Sequence, residues 1–448
     1  GAPPVPARRA RGPRGIRTAS GMRYPAGRMD DFVFKDGRLH AEKVPVAAIA
    51  AAVGTPVYVY SRNTLLGHFR RLRDAYADLK PSLGYAVKAN ANLALLKTLA
   101  DEGARFDVVS RGEIFKVLKA GASADRIDFE GPGKRRDEIE YALEVGVRVF
   151  NVESEAEVDL IEDVAKAAGK TARIALRANP DVDPKTHTYI TTGKKENKFG
   201  LDFDRARRLA GTLPNRPAVR LVGLHNHIGS QITSVAPYVE MVTRLLGLAK
   251  ELRKAHAGLE SVNIGGGFGI HYKPQEAPEI KEYATALVPL LKEGGFKVHM
   301  EPGRLLVGNA GIFVTRVIYL KRSGEKRFVI CDGAMNDLIR PSLYGAFHRI
   351  EPVEPRSGAT QLSDVVGPVC ESGDFLGKDR DLPPLEPGDL IAVRSAGAYG
   401  FVMASNYNAR PRAAEVLVDG DRFGVVRARE SFDDLVRGER TTPEWTRA

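Results

Sequence analysis

The stretch LGYAVKANAN, residues 83–92, places a lysine directly after an apolar run. Leu83, Tyr85 and Val87 are typical of a buried strand, and Lys88 follows them at the strand end. Burying an ammonium group costs desolvation free energy unless a partner uses its charge. A lysine at a barrel rim commonly keeps its head group in water. A buried amine with a lowered pKa can instead form a Schiff base with a carbonyl compound.

The segment HNHIGSQ, residues 225–231, follows another predicted strand and contains two histidines. His225 and His227 are two residues apart, so on a strand they point to opposite faces, which is poor geometry for two ligands of one metal ion. No carboxylate or cysteine lies close enough in sequence to favour zinc, and we predict no metal site. We expect one imidazole to serve as a flat surface or proton carrier, and His225 to face the surrounding helices.

Two further segments supply a glycine run and a carboxylate. NIGGGFG, residues 263–269, exposes backbone N–H groups and permits close approach of an anion, although a tight turn would explain the glycines equally well. Glu301 in MEPGR, residues 300–304, would be a carboxylate in a crowded, partly dry site. It therefore needs a cationic partner, which is either Arg304 or a protonated heterocycle.

Together these segments fit one cofactor, pyridoxal phosphate. This cofactor needs an amine for a Schiff base, a phosphate-binding turn, a flat partner for its ring and a carboxylate for its pyridine nitrogen. Lys88, the glycine run, a histidine and Glu301 supply one of each. The combination is far more specific than any of its members.

The elements that must position these residues alternate between strand and helix. Stretches with helical spacing, such as NLALLKTLADEG, separate the strands. Eight βα units over about 250 residues predict a TIM barrel, in which polar residues at the strand ends meet at one mouth. A doubly wound open sheet is the alternative, but it usually has fewer strands and a Gly-rich first turn that this chain lacks. The predicted strands are 84–88, 106–110, 127–130, 147–152, 173–178, 221–227, 261–265 and 297–301.

After about residue 310 the sequence changes to β-branched runs separated by turn residues, which predicts a second, mostly antiparallel β domain. The segment 29–56 contains a Lys-Asp-Gly-Arg hairpin signal and is predicted to join that domain. The predicted division is a basic tail at 1–28, an N-terminal segment of the β domain at 29–56, a pyridoxal-phosphate-binding barrel at 57–310 and a C-terminal β domain at 311–448.

The net charge of +11 is concentrated at the N-terminus. Residues 1–28 hold seven arginines and no acidic residue, whereas the remaining 420 residues hold 60 basic and 56 acidic residues. The charge therefore does not indicate a nucleic-acid-binding fold. The tail is rich in Pro, Gly and Ala and is predicted to be disordered. We favour a dispensable tail over an organelle transit peptide, because it has no clear amphipathic apolar face.

The overall composition, with 43% hydrophobic and 27% charged residues, is typical of a soluble globular protein. No apolar run is long enough to span a membrane. Two cysteines, Cys331 and Cys370, are too few for a disulfide framework and suit a reducing cytosol. We expect a cytoplasmic protein with neither a membrane nor a nucleic acid as partner.

The motifs YAVKAN, HIGSQ, GGGFG and EPGR, in this order and spacing, resemble the barrel-type (fold type III) pyridoxal-phosphate-dependent decarboxylases. Four more segments narrow the resemblance to the branch that acts on meso-diaminopimelate: THTYITTGKKENKFG (186–200), RPSLYGAFH (340–348), CESGD (370–374) and AGAYG (396–400). The likeness covers the chain from about residue 30 to its end. It implies decarboxylation of meso-2,6-diaminopimelate to L-lysine and CO2, the last step of lysine biosynthesis.

The resemblance also implies a role for individual residues. Lys88 would hold the cofactor covalently, His227 would cover one face of its ring, and Glu301 would pair with the ring nitrogen. The phosphate would be surrounded by Ser230, Gly265, Gly266, Gly267, Pro302, Gly303, Arg304 and Tyr399. The carboxylates and the distal amine of the substrate would be bound by Arg304, Arg340, Tyr344, Glu371 and Tyr399.

Cys370 would be the proton donor in this resemblance. The CESGD segment would reach the active site of a partner subunit, which implies a homodimer with shared active sites. Outside this context a free cysteine is more often a small buried apolar side chain, and Cys331 keeps that interpretation.

Other functions stay open at this point. A related decarboxylase would act on ornithine, arginine or carboxynorspermidine, but Arg340 and Glu371 suit a second amino-acid head group that ornithine lacks. A racemase on the same barrel would need a base on each face of the cofactor. A non-catalytic regulatory relative would have no reason to keep the lysine, the thiol and both arginines together.

Overall fold

The computed structural model describes residues 30–183, 198–273 and 276–446. The predicted basic tail at 1–28 and most of the THTYITTGKKENKFG segment lie outside the described residues. Among the helices within these ranges, none combines the length and the apolar character that crossing a membrane requires.

The N-terminal segment forms a small antiparallel sheet. The predicted hairpin is confirmed, since Lys35 pairs with Arg38 across a turn in which Asp36 and Gly37 both have positive φ. Apolar side chains such as Phe32 pack against a large sheet that is built mainly from the C-terminal part of the chain. The elements are β1 (Phe32–Lys35), β2 (Arg38–Ala41), β3 (Val44–Pro45), α1 (Val46–Val53), β4 (Val57–Ser61) and α2 (Arg62–Ala75).

Eight parallel strands then close into a barrel, as the sequence predicts. The strand order is that of the chain, and the last strand pairs with the first through His299 with Ser82 and Met300 with Leu83. A short additional strand, β10 (Leu201–Asp202), extends the ladder beside the fifth barrel strand. The barrel strands are β5 (Ser82–Ala86), β6 (Arg105–Val108), β7 (Ile127–Phe129), β8 (Val149–Val152), β9 (Ala172–Asn179), β11 (Val219–His225), β12 (Ser261–Asn263) and β13 (Lys297–Met300).

Helices cover the outside of the barrel, and α2 packs between the first and last of them. Several begin at an N-cap residue soon after a strand ends. The side chains of Ser110 and Ser154, for example, accept hydrogen bonds from the backbone N–H groups of Glu113 and Glu157. The short βα connections fix where the strand-end residues lie. The helices are α3 (Leu93–Asp101), α4 (Arg111–Lys119), α5 (Arg136–Val145), α6 (Glu155–Ala167), α7 (Phe203–Thr212), α8 (Ala236–Arg253) and α9 (Ile280–Gly294).

The predicted strand ends differ from the observed ones in a consistent way. The first predicted strand runs to Lys88, but β5 ends at Ala86 and Lys88 lies in a single helical turn, Val87–Ala89. Most of the other predicted strands also extend one or two residues too far. These residues leave the ladder because they form the mouth of the barrel, so their side chains are no longer bound to strand alternation.

The C-terminal part forms a second large sheet, which is mostly antiparallel as predicted. Its main path runs β18-β17-β15-β14-β4-β20-β21, and β19 pairs with both β14 and β16. Only the pairs of β15 with β17 and of β4 with β20 are parallel. The elements are α10 (Arg304–Val307), β14 (Gly311–Ser323), β15 (Lys326–Cys331), α11 (Arg340–Tyr344), β16 (Ile350–Pro352), β17 (Gln361–Val366), β18 (Phe375–Leu382), β19 (Leu390–Val393), β20 (Ala414–Asp419), β21 (Arg422–Arg427) and α12 (Phe432–Leu435).

One predicted boundary needs correction. The sequence places the start of the barrel at residue 57, but β4 lies in the second sheet, between β14 and β20. Its run VYVYS is buried on both faces, because the N-terminal sheet and the barrel lie on opposite sides of it. A continuous apolar run of this kind does not show which sheet it joins. We therefore propose that the barrel domain begins near Arg62.

Glu415 on β20 joins the two domains. Its side chain is 1% exposed and accepts hydrogen bonds from Tyr60 Oη at 2.7 Å and from Arg427 Nε at 2.7 Å. It also accepts one from Asn92 Nδ2 at 3.0 Å, and Asn92 is the N-cap residue of the barrel helix α3. The carboxylate therefore connects the β domain to the barrel segment that follows Lys88.

Replacing Glu415 with glutamine should lower the free energy of unfolding by about 1–3 kcal/mol, because a buried charge-assisted contact is lost. Chemical denaturation followed by circular dichroism measures the change. Glu354→Gln is the matched control: this glutamate is 54% exposed and pairs with Arg38 at 3.3 Å. The control should change stability by less than about 0.5 kcal/mol. Equal effects of the two substitutions would contradict the connecting role of Glu415.

Candidate active site

Lys88 lies at the mouth of the barrel in contact with the carboxylate of Asp107. The Nζ atom is 2.5 Å from Oδ2 of Asp107, which belongs to β6 and has a side chain that is 1% exposed. Burial acts to lower the pKa of Lys88, but Asp107 and Glu130 outweigh this effect and the pKa is raised. Burial and Glu130 raise the pKa of Asp107 to about 7, against the effect of Lys88. The amine is thus held as an ammonium group beside a proton acceptor.

A second buried cluster joins the ends of β7, β11 and β13. Nε2 of His225 lies 2.9 Å from Oε1 of Glu130 and 2.9 Å from Oε2 of Glu301. Asn151 donates to Glu130 at 2.5 Å, and Asn263 donates to the other oxygen of Glu301. The nitrogen and oxygen atoms of the three titratable groups lie within 4.8 Å of one another, a grouping that could hold a metal ion. Here the imidazole N–H already bridges the two carboxylates.

The cluster shares its protons unevenly. Burial acts to lower the pKa of His225, but Glu130 and Glu301 outweigh it and raise this pKa to about 10. Burial and the neighbouring Glu130 raise the pKa of Glu301 well above its usual value. The pKa of Glu130 lies well below its usual value, because His225 and Lys88 overcome the effect of burial. Glu130 is therefore the ionised member, and Glu301 binds a proton readily.

The expectation that His225 faces the helices is wrong. Its side chain is fully buried, and it bonds to Glu130 and Glu301 at the ends of two other barrel strands. The expectation relied on strand alternation between His225 and His227. However, β11 ends at His225, so His227 already lies in the following turn and alternation does not relate the two side chains.

His227 lies beside the glycine run. Its Nδ1 atom accepts a hydrogen bond from the backbone N–H of Gly266 at 3.3 Å. Burial lowers the pKa of His227 well below its usual value, and the positive charges of Arg177 and Lys88 lower it further. The imidazole is therefore neutral, which suits a flat surface beside a ring.

The glycine run packs closely against the segments on both sides of it. A Cβ atom on Gly266 would lie 2.0 Å from the carbonyl oxygen of Glu301, and one on Gly267 would lie 2.1 Å from that of Gly229. Gly267 also has a φ of +90°. Close backbone approach therefore requires glycine at both positions. Glu301 is held next to the glycine run, because the backbone N–H of Glu301 donates to the carbonyl of Gly265 at 2.8 Å.

The turn at Pro302 and Gly303 packs against the segment that carries Lys88. The N–H of Ala86 donates to the carbonyl of Pro302 at 3.2 Å. A Cβ atom on Gly303 would lie 3.1 Å from the side chains of Ala86 and Ala89. The backbone N–H of Tyr399 donates to the carbonyl of Ala89 at 2.8 Å, so the AGAYG segment closes over the same place.

Arg304 connects several of the predicted site residues. Its Nη2 atom donates to Ser230 Oγ at 3.0 Å, and its guanidinium carbon lies 4.9 Å from the centre of the Tyr399 ring. Its Nη1 atom donates to the hydroxyl of Tyr272 at 2.5 Å, and the Nη1 atom of Arg340 donates to the same oxygen at 2.8 Å. Arg304 and Arg340 thus lie side by side, as expected for a pair that binds one ligand.

The structure does not bring Cys370 and Glu371 to this group in the single chain. Both residues are exposed, in the loop between β17 and β18. Their hydrogen bonds go to the same domain: Asn408 accepts from the N–H of Cys370 at 2.8 Å, and Tyr407 donates to Glu371 at 3.5 Å. Tyr344 is partly buried at the end of α11 and is among the groups that raise the pKa of Arg304.

Sequence reasoning missed Asp107, Glu130 and Tyr272. Glu130 is the last residue of the predicted strand IDFE, whereas Asp107 is the second residue of the predicted strand FDVVS. The rule that polar residues at strand ends meet at the mouth would have found Glu130 but not Asp107, which lies inside its predicted strand. Tyr272 has no such signal, because it lies in the connection between β12 and α9 and its partners come from α10 and α11.

A family model described as "Pyridoxal-dependent decarboxylase, pyridoxal binding domain" matches residues 62–308. The match begins at the first residue of α2, where we propose that the barrel domain starts. It includes Lys88, the glycine run and Arg304.

Known proteins are similar to the chain over nearly its whole length. A diaminopimelate decarboxylase of Neisseria meningitidis serogroup A is 49% identical over 90% of this chain and 98% of its own. One of Pseudomonas aeruginosa is 48% identical over 93% of this chain and 100% of its own. The crystal structure of diaminopimelate decarboxylase from Helicobacter pylori complexed with L-lysine has a TM-score of 0.85 and 40% identity, and covers 88% of this chain and 98% of that one.

The His225 cluster predicts a pH dependence of stability in protein stripped of cofactor. The folded-state pKa of about 10 lies above the ordinary value of 6.5, so the folded state holds the His225 proton more tightly. This stabilisation is complete below pH 6.5 and is lost as the pH rises toward 10. Each unit of pKa difference corresponds to about 1.4 kcal/mol, so the loss should be a few kcal/mol.

Urea denaturation between pH 6.5 and 10 checks this expectation. His225→Gln should flatten the decline, whereas the control His40→Gln, at a site near the surface and away from the barrel mouth, should keep it. A decline of the same size in the His225→Gln protein would show that other groups cause the pH dependence.

Proposed function

The chain belongs to the diaminopimelate decarboxylases, a family of pyridoxal-dependent enzymes, and we propose which of its residues perform each part of the reaction. It is an enzyme that decarboxylates meso-2,6-diaminopimelate to L-lysine and CO2, the last step of lysine biosynthesis. Its cofactor is pyridoxal 5'-phosphate. One observation carries the assignment of residues: a lysine within a carboxylate cluster shares the barrel mouth with two adjacent buried arginines.

The described residues fit the cofactor. Lys88 supplies the amine, and Asp107 in contact with it can accept the proton that the amine must lose. The strongly raised pKa of the buried Glu301 means that its ionised form has too little positive charge beside it. A protonated ring nitrogen would supply that charge and is therefore a suitable partner. His227 offers a neutral flat surface, and the glycine run offers backbone N–H groups for the phosphate. The cofactor supplies the electron sink for the carbanion formed as CO2 leaves.

The phosphate group would also contact Ser230 and the turn at Pro302, Gly303 and Arg304. Arg304 donates to Ser230 and lies against the Tyr399 ring, so these groups surround one small region. Arg304 has more N–H donors than this contact uses, which allows it to serve the phosphate side and the substrate side together.

The substrate would be held by Arg304 and Arg340 through a carboxylate that the reaction leaves intact. Both arginine residues are 6% exposed. Guanidinium groups bind carboxylates through paired hydrogen bonds, which gives strong and directional recognition. Tyr344 and Tyr399 would line the same region. Ornithine carries no second carboxylate, so the arginine pair favours diaminopimelate over ornithine.

We propose that Cys370 protonates the carbanion and that Glu371 binds the distal ammonium group, both from a second copy of the chain. A proton donor must come within hydrogen-bonding reach of its target. Cys370 and Glu371 are exposed in the single chain and are anchored within their own domain. Asp374 anchors the CESGD loop further by accepting from Met335 N at 2.8 Å and Val369 N at 2.7 Å. A homodimer with shared active sites brings the two halves together.

A cytoplasmic location is part of the proposal. Cys331 is buried and Cys370 is exposed, and both are free thiols. Unpaired cysteines are typical of proteins in a reducing compartment.

An assay of CO2 release tests the proposed substrate. The protein should release CO2 from meso-diaminopimelate, with L-lysine as the second product, at least about 100-fold faster than from ornithine or arginine, because these lack the second carboxylate. Lys88→Ala should abolish release and the absorbance of bound pyridoxal phosphate. The control Lys97→Ala removes an exposed lysine that pairs with Asp101 and should keep both. Preferential release from ornithine would contradict the assignment.

Mixing two inactive variants tests the shared active site. Lys88→Ala and Cys370→Ala should each be nearly inactive alone, while Cys370→Ala should retain cofactor. If each site combines Lys88 of one subunit with Cys370 of the other, mixed dimers contain one intact site. Refolding the two together should then restore up to about a quarter of the activity, as expected for random pairing in a twofold dimer. A mixture that stays inactive would place both residues of a site in one chain.

A further inference from the structure

Arg304 and Arg340 form a pair of buried cations. Each is 6% exposed, and within the part of the chain that the structure describes neither forms an ion pair with a carboxylate. The Nε atoms of both have no hydrogen-bond partner among these residues. Two like charges held together in a poorly solvated place repel each other and are costly. Some group must therefore hold them side by side before any ligand arrives.

That group is the hydroxyl of Tyr272. The Nη1 atoms of Arg304 and Arg340 donate to its oxygen at 2.5 and 2.8 Å. The guanidinium carbons lie 5.8 and 5.1 Å from the centre of the Tyr272 ring, within the range of cation–π attraction. Burial acts to raise the pKa of Tyr272, but the two arginines outweigh it and the pKa is lowered. The phenol oxygen therefore carries the partial negative charge that offsets the repulsion.

His348 fixes the other side of Arg340. Arginine can only donate, so the 3.2 Å contact from Arg340 Nη1 requires an acceptor at Nε2 of His348. The Nδ1 atom of His348 then carries the hydrogen and donates to the carbonyl of Arg394 at 2.9 Å. Burial lowers the pKa of His348 to about 3, in agreement with this neutral form. The His348 ring also packs edge-on against Tyr272, at 5.3 Å between the ring centres.

We propose that Tyr272 is a positioning residue that sets the spacing of the Arg304–Arg340 pair for the substrate carboxylate that is not removed. This inference rests on the proposed function, because it assigns the arginine pair to the retained half of diaminopimelate. Tyr272 uses one N–H group of each guanidinium, Ser230 uses another of Arg304, and His348 uses another of Arg340. The donors that are then left serve the carboxylate. Tyr272 does not touch the reacting carbon, so it governs the binding of the substrate rather than the chemical step.

Tyr272→Phe tests the proposal, because it removes only the bridging oxygen. The KM for meso-diaminopimelate should rise about tenfold with kcat changed less than about twofold, as expected when binding is lost equally in the ground state and the transition state. L-Lysine keeps the retained carboxylate, so its inhibition constant should rise by a similar factor. 1,5-Diaminopentane has no carboxylate, and its inhibition constant should stay unchanged.

Tyr76→Phe is the matched control. Tyr76 is fully buried, and its hydroxyl has no partner among the described residues. Tyr76→Phe should leave the KM for meso-diaminopimelate and the inhibition constants of L-lysine and 1,5-diaminopentane unchanged. An equal rise for lysine and diaminopentane in Tyr272→Phe would show a general disturbance of the site and overturn the proposal. Unchanged constants for both inhibitors would also overturn it.

A second variant separates the oxygen from the ring. Tyr272→Gln keeps an acceptor oxygen without the aromatic ring, so it should recover part of the lysine affinity lost in Tyr272→Phe. A glutamine variant that binds L-lysine no more tightly than the phenylalanine variant would contradict the role of the oxygen.

Should Tyr272→Phe not fold, Tyr272→Gln must show the same selective loss of affinity for L-lysine, in smaller degree. If the unmodified protein releases no CO2 from meso-diaminopimelate, the proposed function fails, whereas an active protein without the lysine-selective change refutes this inference alone.

Discussion

Three buried carboxylates meet at the barrel mouth, and the site depends on the balance of their charge. Asp107, Glu130 and Glu301 are each 6% exposed or less, and the cations Lys88 and His225 contact them. A buried charge without a partner costs several kcal/mol, so the mouth is stable only if the strands deliver both signs together. Five strands or strand ends contribute one charge each. A slip of one residue in any of them would turn its charge away from its partner.

The β domain supplies residues of the candidate site that the barrel lacks. The barrel supplies the amine and the carboxylates, whereas Arg340 on α11 and Tyr399 come from the segment after residue 310. The two parts share the buried Glu415 connection, which runs to the N-cap of the helix following Lys88. Because the arginine pair draws on α10 and α11, the substrate binding that we propose for this pair depends on how the two domains pack. In our proposal the exposed Cys370 acts in the site of a second copy of the chain, so the site also depends on how the two copies pack.

Most of the fold could be predicted from the sequence, because periodicity and turn residues report on local structure. All eight barrel strands were found from apolar runs such as GYAVK and IDFE, and the β-rich end was recognised in the same way. The assignment of β4 to the barrel failed, because a doubly buried run does not show its partner strands. His225 was misplaced because strand alternation was extended past the end of β11. Tyr272 could not be found, since its role arises from two arginines that are 32 and 68 residues away in the chain.

The two sides of the mouth differ in how their charge is balanced, and this difference bears on selectivity. On the Lys88 side every carboxylate has a cation in contact or close by, so that region is nearly neutral. On the arginine side two cations share one phenol oxygen, and no carboxylate among the described residues pairs with either of them. A substrate whose distal end is only an ammonium group would be repelled there, while a carboxylate is attracted. In our proposal, selectivity between substrates therefore follows from the sign of the charge on the distal end of the substrate. The same carboxylate remains on the product, so the contacts that we propose select diaminopimelate must also be broken before L-lysine can leave.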